Sequence, residues 1–515
     1  MISRVHSIAV NGLDSTIIDI EVDINNWLPA FTIVGLPDQW VQESKERLRS
    51  AMKSCQTKLP ASRITVNLAP ADIKKSGPSF DLPIAIGILL NAWDIETEEL
   101  IVDSIFIWEL ALDWAMRKIW SVLPATIWAK EKWYKRIFVP KENALEASII
   151  PGIDIIAVEN LQETIAVLNK EKPLTPEKLL SFDELRETYW TSQFWEKNYD
   201  FQFVMWQEHA KRALEVAAAW GHNIIMSGPP GSGKTMLAKS FATILPDLNI
   251  DEAIEVSKLY SISGLLSNEQ PIISQRPFRT IHHTASSTSI IGWGRNAKPG
   301  EISLSHKWVL FMDEILEFNK SVLEVLRQPL EDGSIHVTRV NGSYKYPADF
   351  TLVWAMNPCP CGYLSDPDKD CICSPFQVKN YQAKLSGPLI DRIDIFIEVP
   401  KVKTEKLQVH NDYSNQENSQ TIKARVSQAR WIQNERFTDL SINSNSEMKT
   451  KEINEYCSLW KEAENTLKSA VASMNLSARA YYRILKLART IADLAWEADI
   501  QTAHILEALS FRKQW

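Results

Sequence analysis

Alternating apolar and polar positions predict strands near the start of the chain. Apolar residues alternate with acidic ones over residues 18–24, and residues 63–68 alternate in the same way, which is typical of strands with one buried face. Residues 39–55 instead carry apolar side chains at helical spacing. We therefore predict an α+β domain over residues 1–170, followed by a polar linker at 171–202.

After the linker, the pattern changes to short apolar runs that each end in polar residues. Residues 223–226, 309–312 and 351–356 are such runs. Uninterrupted apolar strands are typical of a parallel sheet that is covered on both faces. We predict an α/β core over residues 203–404. Residues 405–515 show helical periodicity and predict a helical C-terminal domain.

Composition narrows the classes of protein that fit. A chain of 515 residues is long enough for two or three cores, and six cysteines do not suggest a disulfide scaffold. A net charge of −8 argues against a protein that coats nucleic acid, although it leaves room for a local basic channel. The first residues lack the apolar core of a signal peptide, and the most apolar stretch, 82–93, is too short to span a bilayer. We expect a cytoplasmic protein without membrane contact.

Tryptophan is unusually frequent in this chain and glycine unusually rare. There are 19 Trp and 17 Gly, so glycine has about half of its usual share of ~7%. Several tryptophans stand where a turn would favour glycine, as in segments 26–29, 112–114, 219–221 and 292–294. We hypothesise that many of these codons are UGA, read as glycine in the source organism. The alternative is a protein that is genuinely rich in tryptophan, and genomic codons distinguish the two.

The loop after the first apolar run matches the phosphate-binding pattern G-x-x-x-x-G-K-[ST]. Its glycines let backbone N–H groups turn toward phosphate oxygens at the start of a helix. Lys234 would bind the β- and γ-phosphates, and the Thr235 hydroxyl would bind Mg²⁺. The loop therefore predicts ATP and Mg²⁺ as ligands. It consists of Gly228, Pro229, Pro230, Gly231, Ser232, Gly233, Lys234 and Thr235.

Polar residues at the ends of the later elements complete a nucleotide site. Asp313 would bind Mg²⁺, mostly through water, and Glu314 would polarise the attacking water. Asn357 is placed to sense the γ-phosphate. Arg392 could reach the nucleotide of a neighbouring subunit, unless it forms an ordinary Arg–Asp surface pair. Arg479, in the first turn of a C-terminal helix, is placed to touch the γ-phosphate.

Residues 335–346 predict a β-hairpin whose Asn-Gly pair suits a type I′ turn. Arg339 and Lys345, with Tyr344 and Tyr346, would lie near its tip. Basic and aromatic side chains together suit phosphate contact and base stacking on DNA. The alternative is a solvated hairpin face without a ligand.

Clusters of cysteine and histidine could bind a metal. Cys359 and Cys361, with Cys371 and Cys373, form a set of four thiols that could close a tetrahedral zinc site. C-x-C pairs are less usual than C-x₂-C pairs, so reduced surface thiols are the alternative. The histidines at 282–283 are adjacent, and adjacent histidines in a strand point apart and rarely chelate together. We expect these histidines to form hydrogen bonds or to contact the central pore of a ring-shaped assembly.

Residues 75–79 resemble the nucleophile segment of Lon-type serine proteases. Those enzymes activate the serine with a lysine about forty residues further on, where this chain has the apolar stretch 122–125. Without a base the serine is not activated. We therefore expect a Lon-like fold without proteolytic activity, with Ser79 as a turn or helix-cap residue.

Five segments together resemble the ComM/YifB family of magnesium-chelatase-like AAA+ ATPases, and the Asn-Pro-Cys-Pro-Cys-Gly sequence is the most specific part. The resemblance implies a Lon-like (ribosomal S5 domain 2-like) N-terminal domain, a P-loop AAA+ core and a helical lid, assembled as a homo-oligomeric ring that we expect to be a hexamer. In the bacterial competence member, the implied activity is ATP-driven branch migration of DNA during natural transformation. The segments are 31–38, 228–235, 309–314, 356–362 and 476–494.

The resemblance also implies a role for each site residue. Asp313 and Glu314 match the Walker B motif and Asn357 matches sensor 1. Arg392 matches a finger that acts in trans, and Arg479 matches sensor 2. We expect single-stranded or branched DNA and further copies of the chain as partners.

Two other functions stay open at the level of the sequence. A magnesium-chelatase motor would insert metal through a partner protein, and we expect the N-terminal domain to count against it. An ATP-dependent protease is opposed by the missing lysine.

Overall fold

The computed structural model describes residues 2–54, 59–75, 77, 79–92, 94–95, 99–112, 115–189, 199–276, 278–292, 298–339, 342–402, 416–440, 442, 444–474 and 476–512. The chain forms two compact units. The first contains Met1–Trp190, Ile250–Ser274 and Ala297–Pro299, and the second contains Thr191–Asn249, Gln275–Asn296 and Gly300–Trp515. The segment Ile250–Ser274, which the sequence pattern places inside the 203–404 core, thus belongs to the first unit.

The first unit is built on a mixed seven-stranded sheet. Its strands are β1 (Ile2–Asn11), β2 (Asp14–Asn25), β3 (Ala30–Val34), β4 (Arg63–Ala69), β5 (Ser104–Phe106), β8 (Arg136–Pro140) and β9 (Asp154–Val158). Two short strands, β6 (Glu109–Leu110) and β7 (Met116–Arg117), pair separately. The sheet order is β3-β4-β2-β1-β5-β8-β9, with β2 antiparallel to both neighbours.

Eight α-helices are described in the first unit. They are α1 (Gln39–Ser54), α2 (Asp81–Asn91), α3 (Glu99–Val102), α4 (Val122–Glu131), α5 (Ala144–Ala147), α6 (Leu161–Leu168), α7 (Phe182–Tyr189) and α10 (Ile250–Ser263). The predicted period-two pattern is confirmed, because Ile18, Ile20 and Val22 are fully buried on one face of β2. The predicted helix over 39–55 is confirmed by α1, which buries Val41 and Leu48.

A buried carboxyl ties α10 to the rest of the first unit. Ser261 Oγ donates to Glu146 Oε1 over 2.5 Å, and the Leu123 backbone N–H donates to the same oxygen over 3.0 Å. Burial raises the pKa of Glu146, and these hydrogen bonds oppose the rise. The segment 250–274 therefore has a specific polar anchor as well as apolar packing.

Ser79 lies in a turn, as predicted, but it does not cap a helix. Helix α2 starts after Phe80, and no side chain forms a cap hydrogen bond there. The stretch 122–125 opens α4 and is buried. Ser76 and Pro78 of the Lon-like segment lie outside the described residues.

The second unit is built on a five-stranded parallel sheet. Its strands are β10 (Ile224–Ser227), β11 (Phe278–Ile281), β12 (Val309–Met312), β15 (Thr351–Met356) and β16 (Ile395–Glu398), in the order β11-β12-β15-β10-β16. The three apolar runs predicted as buried strands are therefore confirmed in β10, β12 and β15. All four pairings are parallel, so the carboxyl ends of the strands share one edge.

The helices of the second unit fall into two groups along the chain. Those that alternate with the strands are α8 (Glu208–Ala218), α9 (Lys234–Thr243), α11 (Ser287–Ile291), α12 (Glu301–Leu304), α13 (Lys320–Val325), α14 (Arg327–Asp332), α15 (Pro375–Gln382) and α16 (Gly387–Ile390). The C-terminal helices are α17 (Ser419–Arg436), α18 (Thr450–Tyr456), α19 (Lys461–Ser473), α20 (Ala478–Leu494) and α21 (Thr502–Ser510). One apolar cluster extends from Phe201 to Phe511, so both parts share a core.

A separate hairpin joins β13 (Ser334–Arg339) to β14 (Gly342–Pro347). Its register pairs Arg339 with Gly342 and Thr338 with Ser343. A turn centred on Asn341-Gly342 would instead pair residue 340 with residue 343, so the predicted turn position is wrong by one residue. Gly342 belongs to the strand, and residues 340–341 lie outside the described part of the chain.

Several tryptophans occupy unusual backbone positions. Trp133, Trp206 and Trp496 have φ of 67°, 63° and 61°, a region that bulky side chains rarely adopt. Trp220 is instead fully buried in the core of the second unit. The predicted glycine-like positions 114 and 293 lie outside the described residues.

None of the helices in the described ranges combines the length and the apolar character needed to cross a membrane.

Candidate nucleotide-binding site

The phosphate-binding loop connects β10 to α9, and its geometry requires glycine. A Cβ atom on Gly228 would lie 2.2 Å from the carbonyl oxygen of Val399, so this position cannot accept a side chain. Gly233 has a φ of 89° directly before α9, which residues with a side chain adopt only with strain. The loop can therefore present backbone N–H groups at the start of a helix, as phosphate binding requires.

Lys234 is nearly buried inside the loop. Its Nζ donates to the carbonyl oxygens of Gly228 (2.6 Å) and Pro229 (3.0 Å) and lies 3.5 Å from Asn357 Oδ1. Burial lowers the pKa of Lys234, and the nearby carboxylates of Asp313 and Glu314 partly oppose this change. The loop thus holds an ammonium group at its centre, close to residues from two other strands.

Thr235 and Asp313 meet at the carboxyl edge of the sheet. Thr235 Oγ1 donates to Asp313 Oδ2 over 3.0 Å. A hydroxyl and a carboxylate oxygen are hard ligands of the kind that Mg²⁺ prefers. The donor set therefore fits Mg²⁺, and these two residues could hold it.

Glu314 follows Asp313 in a left-handed conformation. Its φ is 52°, and its backbone N–H donates to Asp313 Oδ1 over 2.9 Å. Its carboxylate is half-exposed and lies 3.2 Å from Nδ1 of His283. Isolated left-handed residues with a side chain cost of the order of 1–3 kcal/mol and concentrate at functional sites.

The two adjacent histidines lie side by side. The ring centroids of His282 and His283 are 4.1 Å apart, and His282 Nδ1 lies 2.9 Å from the Thr284 hydroxyl. The prediction that the rings point apart is wrong, because β11 ends at Ile281 and the alternation of a strand does not continue. The predicted hydrogen bonding is confirmed for His282.

Asn357 directly follows β15, and the segment after it packs against the phosphate-binding loop. A Cβ atom on Gly362 would lie 2.8 Å from Pro230 Cδ. Gly362 also has a φ of 85°. The Asn-Pro-Cys-Pro-Cys-Gly segment therefore reaches the nucleotide site at both of its ends.

The four thiols of this region lie together. Cys359 Sγ is 3.3 Å from Cys361 Sγ and 3.6 Å from Cys371 Sγ, and the ligand atoms of all four cysteines lie within 4.8 Å of one another. Tetrahedral zinc with Zn–S bonds of ~2.3 Å would separate its sulfurs by ~3.8 Å. Backbone N–H groups, that of Tyr363 first, lower the pKa of Cys361 to about 6. The cluster could therefore bind a metal ion.

The two candidate arginines differ in their surroundings. Arg392 donates to the Pro388 carbonyl oxygen over 2.6 Å and pairs with Glu331 of the same chain. Arg479 is exposed in the first turn of α20 and has no hydrogen-bond or ion-pair partner among the described residues. Within the described chain, neither makes a hydrogen bond or ion pair with the phosphate-binding loop.

The hairpin presents its candidate residues unequally. Lys345 is exposed opposite His336, and Tyr344 is half-buried opposite Val337. Tyr346 is fully buried. Its ring is therefore not available for base stacking, and the expectation that it would be is wrong. The backbone of Arg339, in β13, pairs with Gly342 of β14, whereas its side chain is outside what the structure describes.

Sequence reasoning missed a residue that binds the loop and residues that join the core to the C-terminal helices. Gln207 Nε2 donates to the carbonyl oxygen of Ser232 in the phosphate-binding loop over 2.8 Å. Asp394 lies 3.3 Å from His222 Nδ1 and 3.4 Å from Arg483 Nη1 of α20. No short motif marks these contacts, since each joins residues that are distant in the chain.

Comparison with known proteins places this chain in a family. Family models described as "Magnesium chelatase, subunit ChlI", "Subunit ChlI of Mg-chelatase" and "Magnesium chelatase, subunit ChlI C-terminal" match residues 200–407, 20–143 and 416–512. The competence protein ComM of Haemophilus influenzae is 42% identical over 511 residues, which cover 99% of this chain and 97% of that protein. The uncharacterized protein YifB of Salmonella typhimurium is 39% identical over 513 residues, with 99% and 96% covered.

A more distant relative is a magnesium-chelatase 67 kDa subunit of Chlorobaculum parvum. It is 26% identical over 162 residues, which cover 31% of this chain and 23% of that subunit. The two longer relatives match almost from end to end. The chain therefore belongs to the ComM/YifB family of magnesium-chelatase-like AAA+ ATPases.

Proposed function

We propose that the protein is an ATP-hydrolysing motor that forms a homo-oligomeric ring, expected to be a hexamer, and moves DNA by branch migration or a helicase-type activity. The observation that carries the ATPase part is the meeting of Lys234, Thr235 and Asp313 at one sheet edge, with Glu314 beside them. End-to-end similarity to a competence protein supports action on DNA.

Each residue has a role in this proposal. Lys234 and the loop N–H groups bind the phosphates, and Asn357, within 3.5 Å of Lys234, reports the γ-phosphate. Thr235 and Asp313 would hold Mg²⁺, which when bound would neutralise charge on the phosphates. Glu314 orients and polarises the attacking water.

The two arginines fit positions at the boundary of the site. In the proposed ring, Arg392 exchanges Glu331 for the nucleotide of a neighbouring subunit and stabilises the charge that develops there. Arg479, exposed and unpaired within the described residues, contacts the γ-phosphate. The N-terminal unit is proposed to be Lon-like in fold and without protease activity.

The four-cysteine cluster is proposed to hold structural zinc. The thiols of Cys359, Cys361, Cys371 and Cys373 would supply four ligands and close a loop that has little apolar core of its own. Because Gly362 packs on Pro230, zinc there would also fix the segment that carries Asn357.

A chelatase motor is the second candidate. We expected the N-terminal domain to count against chelatase activity. It does not, because the family model that matches residues 20–143 carries the chelatase name. The chelatase subunit itself matches only 31% of the chain. ATPase stimulation by a porphyrin-binding partner, and not by DNA, would favour this function.

ATPase assays with single-stranded, duplex and branched DNA at low salt test the proposal. We expect DNA to stimulate hydrolysis in the wild type. Lys234→Ala should abolish ATP binding, whereas Glu314→Gln should bind ATP and hydrolyse it at least ~100-fold more slowly. The matched control is Lys239→Ala, which should retain activity. Lys239 lies on the same helix as Lys234, but its Nζ donates to the Tyr199 hydroxyl. Absence of both DNA binding and stimulation would contradict action on DNA.

A further inference from the structure

A short 3₁₀ turn, Ile315–Glu317, directly follows the carboxylate proposed to polarise water. The Glu317 backbone N–H donates to the Glu314 carbonyl oxygen over 2.8 Å. Ile315 and Leu316 are buried, so the turn also packs into the core. The turn is therefore joined to the backbone of Glu314 by a hydrogen bond as well as by the chain, and groups that hold the turn also hold Glu314.

Two side chains at the end of α15 hold this turn. The Tyr381 hydroxyl donates to Glu317 Oε1 over 3.2 Å. Lys384 Nζ donates to the Leu316 carbonyl oxygen over 2.7 Å and lies 3.9 Å from Glu317 Oε2. The same Nζ lies 5.2 Å from the centroid of the Tyr381 ring, so the two side chains also contact each other. The turn is thus held at a carboxylate and at a main-chain oxygen.

The Tyr381 phenol is placed to act as a donor. Its side chain is buried. Burial raises the pKa of Tyr381, and the nearby carboxylates of Glu317 and Glu314 raise it further. The hydroxyl therefore keeps its proton, and the phenol lies within electrostatic reach of Glu314.

Helix α15 is itself fixed at both ends. It begins directly after the fourth thiol, Cys373, with a capping box in which Ser374 Oγ accepts from the Gln377 backbone N–H over 3.3 Å. Gln377 Oε1 accepts in turn from the Ser374 backbone N–H over 2.9 Å. At the other end, Gln382 Nε2 donates to the Pro358 carbonyl oxygen over 3.0 Å. The helix can therefore serve as a rigid support for the turn.

We propose that Tyr381 and Lys384 are positioning residues for ATP hydrolysis, which hold the Ile315–Glu317 turn so that the Glu314 carboxylate faces the attacking water. This inference rests on the proposed ATPase activity and assigns roles that the phosphate-binding motifs do not contain. Holding the turn raises the fraction of molecules in which the carboxylate is correctly oriented. ATP binding is not involved, because neither side chain bonds to the phosphate-binding loop within the described contacts.

Steady-state ATPase kinetics without DNA test these roles. Tyr381→Phe keeps the ring and removes the hydroxyl, and we expect kcat to fall about fivefold. Lys384→Met keeps the aliphatic stem and removes the ammonium group, and the loss should be of similar size. The KM for ATP should stay within about twofold in both variants, because ground-state binding is unchanged.

Two matched controls come from the same part of the chain. The Tyr363 hydroxyl has no hydrogen-bond partner among the described residues, and Lys379 is exposed on α15. Tyr363→Phe and Lys379→Ala should therefore each leave kcat within about twofold of the wild type. The metal content of Tyr381→Phe should equal that of the wild type, which separates its effect from a disturbed thiol cluster.

A double-mutant cycle separates positioning from a general loss of structure. Glu317→Leu removes the acceptor and should match Tyr381→Phe, and the two changes together should be no worse than either alone. Glu317→Gln keeps an acceptor oxygen and should retain at least half of kcat. In a Glu314→Gln background, Tyr381→Phe should cause no further loss, since residues that act through one another are not additive.

Three results would overturn the inference. They are wild-type kcat in Tyr381→Phe or Lys384→Met, a rise in KM in place of the fall in kcat, and an equal loss in the Glu314→Gln background. Glu317→Leu gives the same test if Tyr381→Phe does not fold. A wild type without ATPase activity, or a Lys234→Ala variant that retains it, would instead refute the proposed function itself.

Discussion

At the scale of single residues, the left-handed tryptophans carry a strain that glycine would relieve. Trp133 is 91% exposed and Trp496 is 59% exposed, so neither gains much apolar burial in return. A left-handed residue with a Cβ atom costs roughly 1–2 kcal/mol. These positions therefore favour glycine for a reason independent of composition, and the hypothesis that their codons are UGA gains structural support.

We predict that Trp133→Gly and Trp496→Gly each stabilise the protein by up to about 1 kcal/mol. Relief of the left-handed strain exceeds the entropic cost of glycine, which is roughly 0.5–1 kcal/mol. Thermal unfolding should show this stabilisation as a higher melting temperature for each variant.

The matched control for these variants is Trp431→Gly. This tryptophan is also exposed, but it lies inside α17, where glycine should destabilise by ~1 kcal/mol. Equal behaviour of all three variants, or UGG codons at positions 133 and 496, would refute the hypothesis.

Some site residues could be predicted from the sequence and others could not. The phosphate-binding loop is local, since its spacing alone fixes Lys234 beside the loop carbonyls. Asp313 and Asn357 each end an apolar run, so parallel pairing brings them to the same edge. The contact of His283 with Glu314 depends on the register of β11 against β12 across an intervening segment, and no local pattern encodes that register.

At the scale of elements, the cysteine segment connects a candidate metal site to the nucleotide site. We predict about one zinc per chain, and Cys361→Ser or Cys371→Ser should lose the metal. ATPase activity should fall several-fold in these variants, because the segment between Asn357 and Gly362 loses its anchor. Elemental analysis of the purified protein, followed by ATPase assays, measures both effects.

Cys457 provides the control for this prediction. It is buried in the C-terminal region and does not belong to the four-thiol cluster. Cys457→Ala should keep the zinc. Metal-free wild-type protein with full ATPase activity would contradict the structural role of zinc.

The hairpin β13–β14 gives a second prediction at this scale. Lys345→Ala should weaken DNA binding and reduce the slope of log affinity against log salt by about one, because one phosphate contact is lost. Tyr344→Ala should weaken binding to single strands more than to duplexes, because it removes a stacking surface. Fluorescence anisotropy at several salt concentrations measures both effects.

An exposed lysine in α19 serves as the control for the hairpin. Lys461→Ala should leave the affinity and the salt dependence unchanged, and basal ATPase activity should be normal in all three variants. Equal weakening by Lys461→Ala would show that the effect is not specific to the hairpin.

Periodicity predicted the hairpin strands, but it did not locate their turn. Ile335 and Val337 alternate with polar residues and are buried as the pattern requires. The Asn-Gly pair favours a two-residue turn at 341–342, yet Gly342 pairs with Arg339 as part of β14. Directly cross-paired Ile335 and Tyr346 are both buried, so apolar packing accounts for a register that turn propensity alone does not give.

At the scale of the whole molecule, the segment 250–274 belongs to the first unit, although the residues before and after it in the sequence belong to the second. Sequence pattern could not reveal this, since α10 is an ordinary helix and nothing local marks its partner. The anchor is the buried Glu146, which also accepts from the backbone N–H of Leu123. Burial of the carboxyl makes each of its hydrogen bonds more important than on a surface.

We predict that Ser261→Ala loosens α10 by about 1–3 kcal/mol, because it removes a hydrogen bond to the buried Glu146. Amide hydrogen exchange over residues 250–263 should accelerate accordingly. Ser263→Ala is the control, since among the described residues that hydroxyl donates only to the Leu259 carbonyl oxygen of its own helix. Equal exchange in both variants would show that the buried contact does not anchor the segment.

The shared segment also determines how the polypeptide can be divided. A single cut after residue 190 would release an N-terminal fragment without α10, and Glu146 would lose the Ser261 hydroxyl. The complementary fragment would carry residues 250–274 with no surface to cover their apolar side. We therefore expect neither fragment to fold on its own, because a cut at the boundary that the linear order suggests separates α10 from the rest of its unit.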